Sequence, residues 1–161
     1  MKIRIAELQD LERLTQIESL CFPIEEAADS DKIKSRIEAF PNHFFVLISD
    51  ENQIAGFING LVYHSPVLID EMFEQADLHD ENGSYQMILS LAVAPEFQGK
   101  GYGKALLHHF LESAKKQHRK GVTLTCKKEL IPFYTKAEFC NQGRSASVHG
   151  GFEWYEMRVT F

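Results

Sequence analysis

The segment that most restricts this chain runs Leu91-Ala92-Val93-Ala94-Pro95-Glu96-Phe97-Gln98-Gly99-Lys100-Gly101-Tyr102-Gly103-Lys104-Ala105-Leu106-Leu107. It completes a nearly continuous apolar stretch, Tyr85 to Val93, of the kind a strand buried on both faces requires. Pro95 breaks the strand, glycines punctuate Gln98 to Gly103, and the pattern predicts a helix from about Gly101 to Gln117. Glycines let backbone N–H groups approach a ligand closely, and a new helix adds unpaired N–H groups and the positive end of its dipole. A turn built this way is an anion site suited to a phosphate or pyrophosphate. Two familiar phosphate patterns fail. No GxxxxGK[ST] run exists, and GxGxxG fails because Lys104 stands where the third glycine would follow Gly99 and Gly101. Gln-x-x-Gly-x-Gly remains, at Gln98, Gly101 and Gly103.

The rest of the chain reads as alternating elements. Lys2 to Ala6 alternates like a short strand, and Leu8 to Leu20 like a helix with Leu11, Leu14, Ile17 and Leu20 on one stripe. Cys21-Phe22-Pro23 stops it. Ser30 is the expected cap of a second helix toward Phe40. Phe44 to Ser49 and Ile54 to Tyr63 form a hairpin across Asp50 to Gln53. His64 to Ser84 is a long loop with one short helix around Ile69 to Gln75, and loops of this length in compact domains are commonly functional. Val122 to Cys126 is a strand, Glu129 to Ala137 a short helix, and Phe139 opens another strand. Gly150-Gly151 turns the chain into the last strand, Phe152 to Phe161. There are no repeats.

The 161 residues suit one domain with a sizeable core. A net charge of −6 makes nucleic acid and anionic membranes poor partners. Cys21, Cys126 and Cys140 form no CxxC pair, so no metal is expected. No run approaches the ~20 apolar residues that span a bilayer, and the first residues do not read as a signal peptide; the cytoplasm is the expected compartment.

The Gln98, Gly101, Gly103 pattern resembles the pyrophosphate loop of the GCN5-related N-acetyltransferases, which bind acetyl-coenzyme A. Leu-Ala-Val-x-Pro before it and Ala-Leu-Leu after it strengthen the likeness. Leu130-Ile131-Pro132-Phe133-Tyr134 is similar to the superfamily's Pro-Phe-Tyr segment, although Glu138 stands where a glycine usually precedes Phe139. Cys21-Phe22-Pro23 with Glu26-Ala27-Ala28, and the late Ser147-Val148-His149-Gly150-Gly151 with Trp154-Tyr155-Glu156-Met157, resemble the arylalkylamine N-acetyltransferase branch and its bacterial members. The resemblance covers nearly the whole chain. It implies a single N-acetyltransferase domain over residues 1–161, of α/β (α+β) class, with a central mixed, mostly antiparallel sheet flanked by helices and split by the cofactor at the end of the Tyr85 to Val93 strand.

The implied reaction moves an acetyl group from acetyl-CoA, the cosubstrate, to a primary amine by direct attack. Leu91, Ala92, Val93, Gln98, Gly99, Lys100, Gly101, Tyr102, Gly103 and Lys104 are the expected cofactor-binding residues, with a strand N–H within Leu91 to Val93 facing the oxyanion. Tyr134 is the expected acid for the leaving thiolate, since phenol and thiol have reference pKa values of about 10 and 8.5. Vertebrate arylalkylamine enzymes carry two histidines on the strand entering the loop. The matching positions, Met87 and Leu89, cannot accept a proton, so Glu25, Glu26, His64 and His79 are the candidate bases, and Glu25 and Glu26 the candidate substrate residues. The acidic balance, with Asp70 and Glu71 near the presumed mouth, favours a cationic small molecule. A protein amine stays open, and a homodimer is compatible with the sequence. The rival reading is a non-catalytic acyl-CoA-binding or sensing module that keeps the glycine loop without turnover.

Overall fold

A computed structural model describes residues 1–161. In chain order the elements are β1 (Lys2–Ile5), α1 (Leu11–Cys21), α2 (Ser30–Ala39), β2 (Phe44–Ile48), β3 (Ile54–Asn59), β4 (Val62–Tyr63), α3 (Glu71–Glu74), β5 (Tyr85–Ile88), β6 (Ser90–Val93), α4 (Tyr102–Lys116), β7 (Gly121–Cys126), α5 (Ile131–Thr135), β8 (Cys140–Arg144) and β9 (Tyr155–Thr160). β1-β2-β3-β6 form an antiparallel sheet, and β4-β5-β7-β9-β8 a second sheet whose β5–β7 pair is parallel. The fold is mixed α/β, as the sequence implies. No helix is long and apolar enough to cross a membrane.

The expected single strand Tyr85 to Val93 is two strands in different sheets, parted at Leu89 rather than at its end. Met87 N–H donates to Leu61 O at 2.8 Å, and two residues later Leu89 N–H donates to Asn59 O at 2.8 Å. The neighbouring chain changes sheet at the same level, because β3 ends at Asn59 and β4 begins at Val62. The expected return strand Ile54 to Tyr63 is therefore also divided. Gly60 permits the crossing: a Cβ there would lie 1.7 Å from Met87 O, a distance no side chain tolerates.

One core lies under the first sheet and α4. Leu106, Leu107, Phe110 and Ala114 form the buried face of α4, and Phe110 meets Phe45 edge-on with ring centroids 6.0 Å apart. Phe44 and Phe57 are fully buried beside them, each contributing about 2–3 kcal/mol of apolar burial. A second cluster of Phe40, Leu61, Leu68, Met72, Phe73 and Met87 anchors the 64–84 loop, whose helix is the short α3.

Two local expectations need correction. Asp29, not Ser30, caps α2: its Oδ1 accepts Lys32 N–H at 3.0 Å, a bond worth about 1 kcal/mol. Leu20 is 55% exposed and leaves the α1 stripe, and its place on the buried face is taken by Glu18, only 3% exposed. The spacing 11, 14, 18, 21 follows the helical period, and Glu18 is its one charged member.

Candidate active site

The two sheets diverge between β6 and β7, because β6 pairs only with β3 and its other edge has no strand neighbour. Val93 O points off that free edge, accepting Cys21 Sγ–H at 3.2 Å and Gln98 Nε2–H at 3.0 Å. By the two-residue alternation of a strand, Leu91 presents its N–H and C=O on the same edge, while Ala92, 4% exposed, turns its peptide groups toward β3. Leu91 and Val93, and not Ala92, thus offer main-chain donors to the gap.

The glycine turn closes one end of the gap. Gly99 and Gly101 have φ of +80° and +82°, a left-handed conformation, and a Cβ on either would meet open space. Gly101 caps α4, whose first helical bond runs from Ala105 N–H to Gly101 O at 3.0 Å. The N–H groups of Tyr102, Gly103 and Lys104 consequently have no acceptor within the helix. These residues, with Val93, Gln98 and Phe133, surround a cavity of about 210 Å³. The structure thus gathers Gln98, Gly99 and Gly101 to Lys104 around one hollow, with Lys100 exposed outside its lining, and the amides and helix dipole make it anion-receptive.

A second cavity, of about 250 Å³, lies where the sheets part. Ser90 and Leu91 of β6 form one wall, and Cys126 of β7 with Tyr134 of α5 the other. Tyr134 is 6% exposed, and its hydroxyl has no hydrogen-bond partner in the protein. Burial, reinforced by Cys126, pushes its pKa above the ordinary phenol value, so the hydroxyl keeps its proton. Burial likewise pushes the Cys126 thiol up to about 11.

Two charged side chains that sequence reasoning missed enter the same cavity. Glu18 Oε2 accepts Ala28 N–H at 3.0 Å, and Oε1 is buried without a partner. Burial raises the Glu18 pKa above the usual carboxylate range, opposed by the Ala28 bond and the Arg36 charge. Arg36, from α2, is 3% exposed. Its Nη1 donates to Asn59 Oδ1 at 3.4 Å and Ser90 Oγ at 3.3 Å, and its Nη2 to Phe73 O at 3.1 Å.

The C-terminal turn roofs the cavity. His149 stacks on Phe73 with ring centroids 4.1 Å apart, its Nε2–H donates to Glu26 O at 3.1 Å, and its carbonyl accepts Trp154 Nε1–H at 2.8 Å. Asp70 holds this turn through Ser147 Oγ–H and, at 3.0 Å, Val148 N–H.

The expected acidic and histidine candidates scatter. Glu26 lines the cavity but pairs with Lys127 Nζ at 2.8 Å. Glu25 is exposed and outside the cavity wall, because the turn after Pro23 directs it to solvent. His64 is exposed against Tyr63. His79 belongs to a clamp on the other side of the 64–84 loop. There, His43 and His79 Nε2–H donate to Glu81 Oε1 at 2.9 and 3.0 Å, and Arg119 Nη2 donates to Glu81 Oε2 at 2.7 Å. His79 Nδ1 accepts Val62 N–H at 2.9 Å, which fixes the proton on Nε2. His43, His79 and Glu81 have the donor set and proximity of a metal trio, yet each of these contacts is already made by a proton or by Arg119. Of the former histidine positions, Leu89 lines the cavity and Met87 is core.

The model of the acetyltransferase (GNAT) family matches residues 11–139. The chain belongs to that family. The uncharacterized N-acetyltransferase ycf52 of Porphyra purpurea is 31% identical over 75 residues, covering 47% of this chain and 41% of that protein. The chain therefore matches about two fifths of the length of this curated relative. Among solved structures, the GNAT-like decarboxylase GphF in complex with isobutyryl-CoA superposes with a TM-score of 0.86 at 19% identity over 99% of both chains. The loading GNATL domain of CurA from Lyngbya majuscula gives 0.85 at 18% over 99% of this chain and 96% of that one. The phosphinothricin acetyltransferase of Sinorhizobium meliloti, in complex with acetyl-CoA, gives 0.74 at 16% over 99% and 88%. These likenesses extend the GNAT fold to the whole chain.

Proposed function

We propose that this chain, as one domain, transfers an acetyl group from acetyl-CoA to the primary amine of a small molecule by direct attack. The observation that carries the reading is a juxtaposition. Glu18 Oε1, buried without a partner, and the Tyr134 side chain border one cavity at the free edge of β6. The amides of residues 98–104 receive the diphosphate, and the Leu91 N–H faces the thioester oxygen. Glu18 accepts the proton that an ammonium must lose before it can attack; burial tunes its carboxylate toward the pH at which a base is most effective. The amine nitrogen bonds to the acyl carbon, the C–S bond breaks, Tyr134 gives its proton to the thiolate, and the second proton that the nitrogen sheds on becoming an amide restores the phenol. Burial raises the Tyr134 phenol above its ordinary value, so the hydroxyl is protonated when the thiolate departs.

Phe22, Phe73 and Trp154 around the cavity support an aryl or alkyl amine, in keeping with the resemblance to the arylalkylamine branch. Three free thiols support a reducing cytoplasm. The test is thiol release from acetyl-CoA with a panel of primary amines, alongside thermal denaturation with acetyl-CoA, ATP and NAD. Stabilisation by acetyl-CoA alone and release with at least one amine are the expected results. Stabilisation without release from any amine would return the protein to the acyl-CoA-binding rival.

A further inference from the structure

Arg36 is the most buried cation of the molecule that faces a cavity. All three of its hydrogen bonds end on neutral acceptors, Asn59 Oδ1, Ser90 Oγ and Phe73 O. No carboxylate oxygen lies within the 4.0 Å of an ion pair, although Glu18 shares the same cavity wall. A guanidinium carries five donors in a planar fork, so Arg36 keeps donors in reserve. The charges of Glu18, Glu74 and Asp29 reach Arg36 from a distance, but none of them is in contact with it, and a buried charge without a contacting counter-ion is costly to hold. Besides Glu18, the wall's one carboxylate is Glu26, which pairs with Lys127 Nζ at 2.8 Å; Ser90, Thr125, Tyr134 and His149 are among its other polar members.

We infer that Arg36 is the anchor for a carboxylate carried by the substrate. The inference rests on the acyl-transfer reading above and narrows its substrate class. An amine that also bears a carboxylate brings one positive and one negative group into a cavity that presents Glu18 and Arg36. The ammonium meets Glu18, the carboxylate meets Arg36, and no net charge is buried. The two side chains arise from different helices, α1 and α2, so their spacing selects the distance between the two substrate groups. The same carboxylate chemistry has a second source, a dicarboxylic acyl group on the thioester.

Two matched pairs separate the sources in the wild-type protein. The first compares phenethylamine with phenylalanine as acceptors of acetyl-CoA by thiol release. The second compares acetyl-CoA with malonyl-CoA by titration calorimetry in the absence of any amine. A charge-assisted bond predicts a preference of about tenfold or more for the carboxylate-bearing member of one pair. A preference in the first pair assigns the carboxylate to the acceptor, and in the second to the acyl group. In Arg36→Gln that ratio falls toward one, and in Arg36→Lys, which keeps the charge but loses the fork, it falls partway. Equal use of both members in both pairs overturns the inference, as does an unchanged ratio in Arg36→Gln. Should Arg36→Gln not fold, the wild-type pairs and Arg36→Lys still decide. The acyl-transfer reading fails separately, when acetyl-CoA binds and no amine of the full panel releases thiol.

Discussion

The Glu18 carboxylate accepts the Ala28 N–H at 3.0 Å across the turn between α1 and α2. This bond fixes one oxygen and leaves the other facing the cavity, buried and without a partner. A base that works on an ammonium must be ionised, and burial holds the Glu18 pKa above the ordinary carboxylate value. Activity therefore falls as pH drops through that raised value, earlier on acidification than an exposed glutamate would dictate. In Glu18→Gln the acid limb of kcat/KM disappears and kcat drops about a hundredfold, the usual weight of general-base catalysis. The Gln oxygen still accepts from Ala28, so thermal denaturation should show an intact fold. A rate profile identical to wild type would leave solvent as the proton acceptor.

Tyr134→Phe removes a hydroxyl that bonds to nothing in the protein, so little stability should be lost. The expected result is a fall in kcat of about a hundredfold with cofactor affinity retained, measured by titration of acetyl-CoA against the variant. Loss of cofactor binding instead would make Tyr134 a packing residue of the cavity wall.

Much of this was legible along the chain because it was local. Gln98 to Lys104 announces a turn by its glycines, and α4 by its period, so the anion site needed no tertiary information. The Pro-Phe-Tyr setting singled out Tyr134, which lines the cavity where the sheets part. Leu89 was not, since Tyr85 to Val93 is buried throughout and its division depends on Gly60, 29 positions upstream by residue number, which passes close to Met87 O. Glu18 and Arg36 were missed for a different reason. Each is a single charge on an otherwise apolar helical stripe, Leu11-Leu14-Glu18-Cys21 and Ile33-Arg36-Ile37-Phe40. The period placed both inside, and only their charge argued for the surface. A charged residue at a stripe position is the signal that would have found them.

Glu138 shows the same interplay in the backbone. It adopts φ of +73° at the end of α5, where Phe139 N–H donates to Tyr134 O at 3.1 Å. The position needs a left-handed residue to end the helix, which is why a glycine is usual there. Glu138→Gly should stabilise the protein by about 0.5–1 kcal/mol, strain relief exceeding the added chain entropy. Urea unfolding of the variant checks this, and a lower midpoint would show that the turn is not strained.

The clamp of His43, Glu81 and Arg119 ties stability to pH. Burial lowers the His43 pKa more than its Glu81 bond raises it, so the folded value lies below the unfolded one of about 6.5. The unfolded chain then binds more protons, and stability from this site is complete above about pH 6.5 and lost as pH falls through the folded value. For Glu81, burial alone would raise the pKa, but the bonds from His43 and His79 outweigh it and the net shift is downward. Its contribution is present above the ordinary carboxylate value of about 4.3 and is lost on further acidification. Both slopes have one sign, so the urea midpoint should decline in two steps as pH is lowered, the first beginning near 6.5. His43→Gln keeps a donor toward Glu81 yet cannot titrate, and should abolish the first step alone. A wild-type midpoint that holds level from neutral pH down to about 5 would mean that the imidazole binds protons equally in both states and that folding does not lower its pKa.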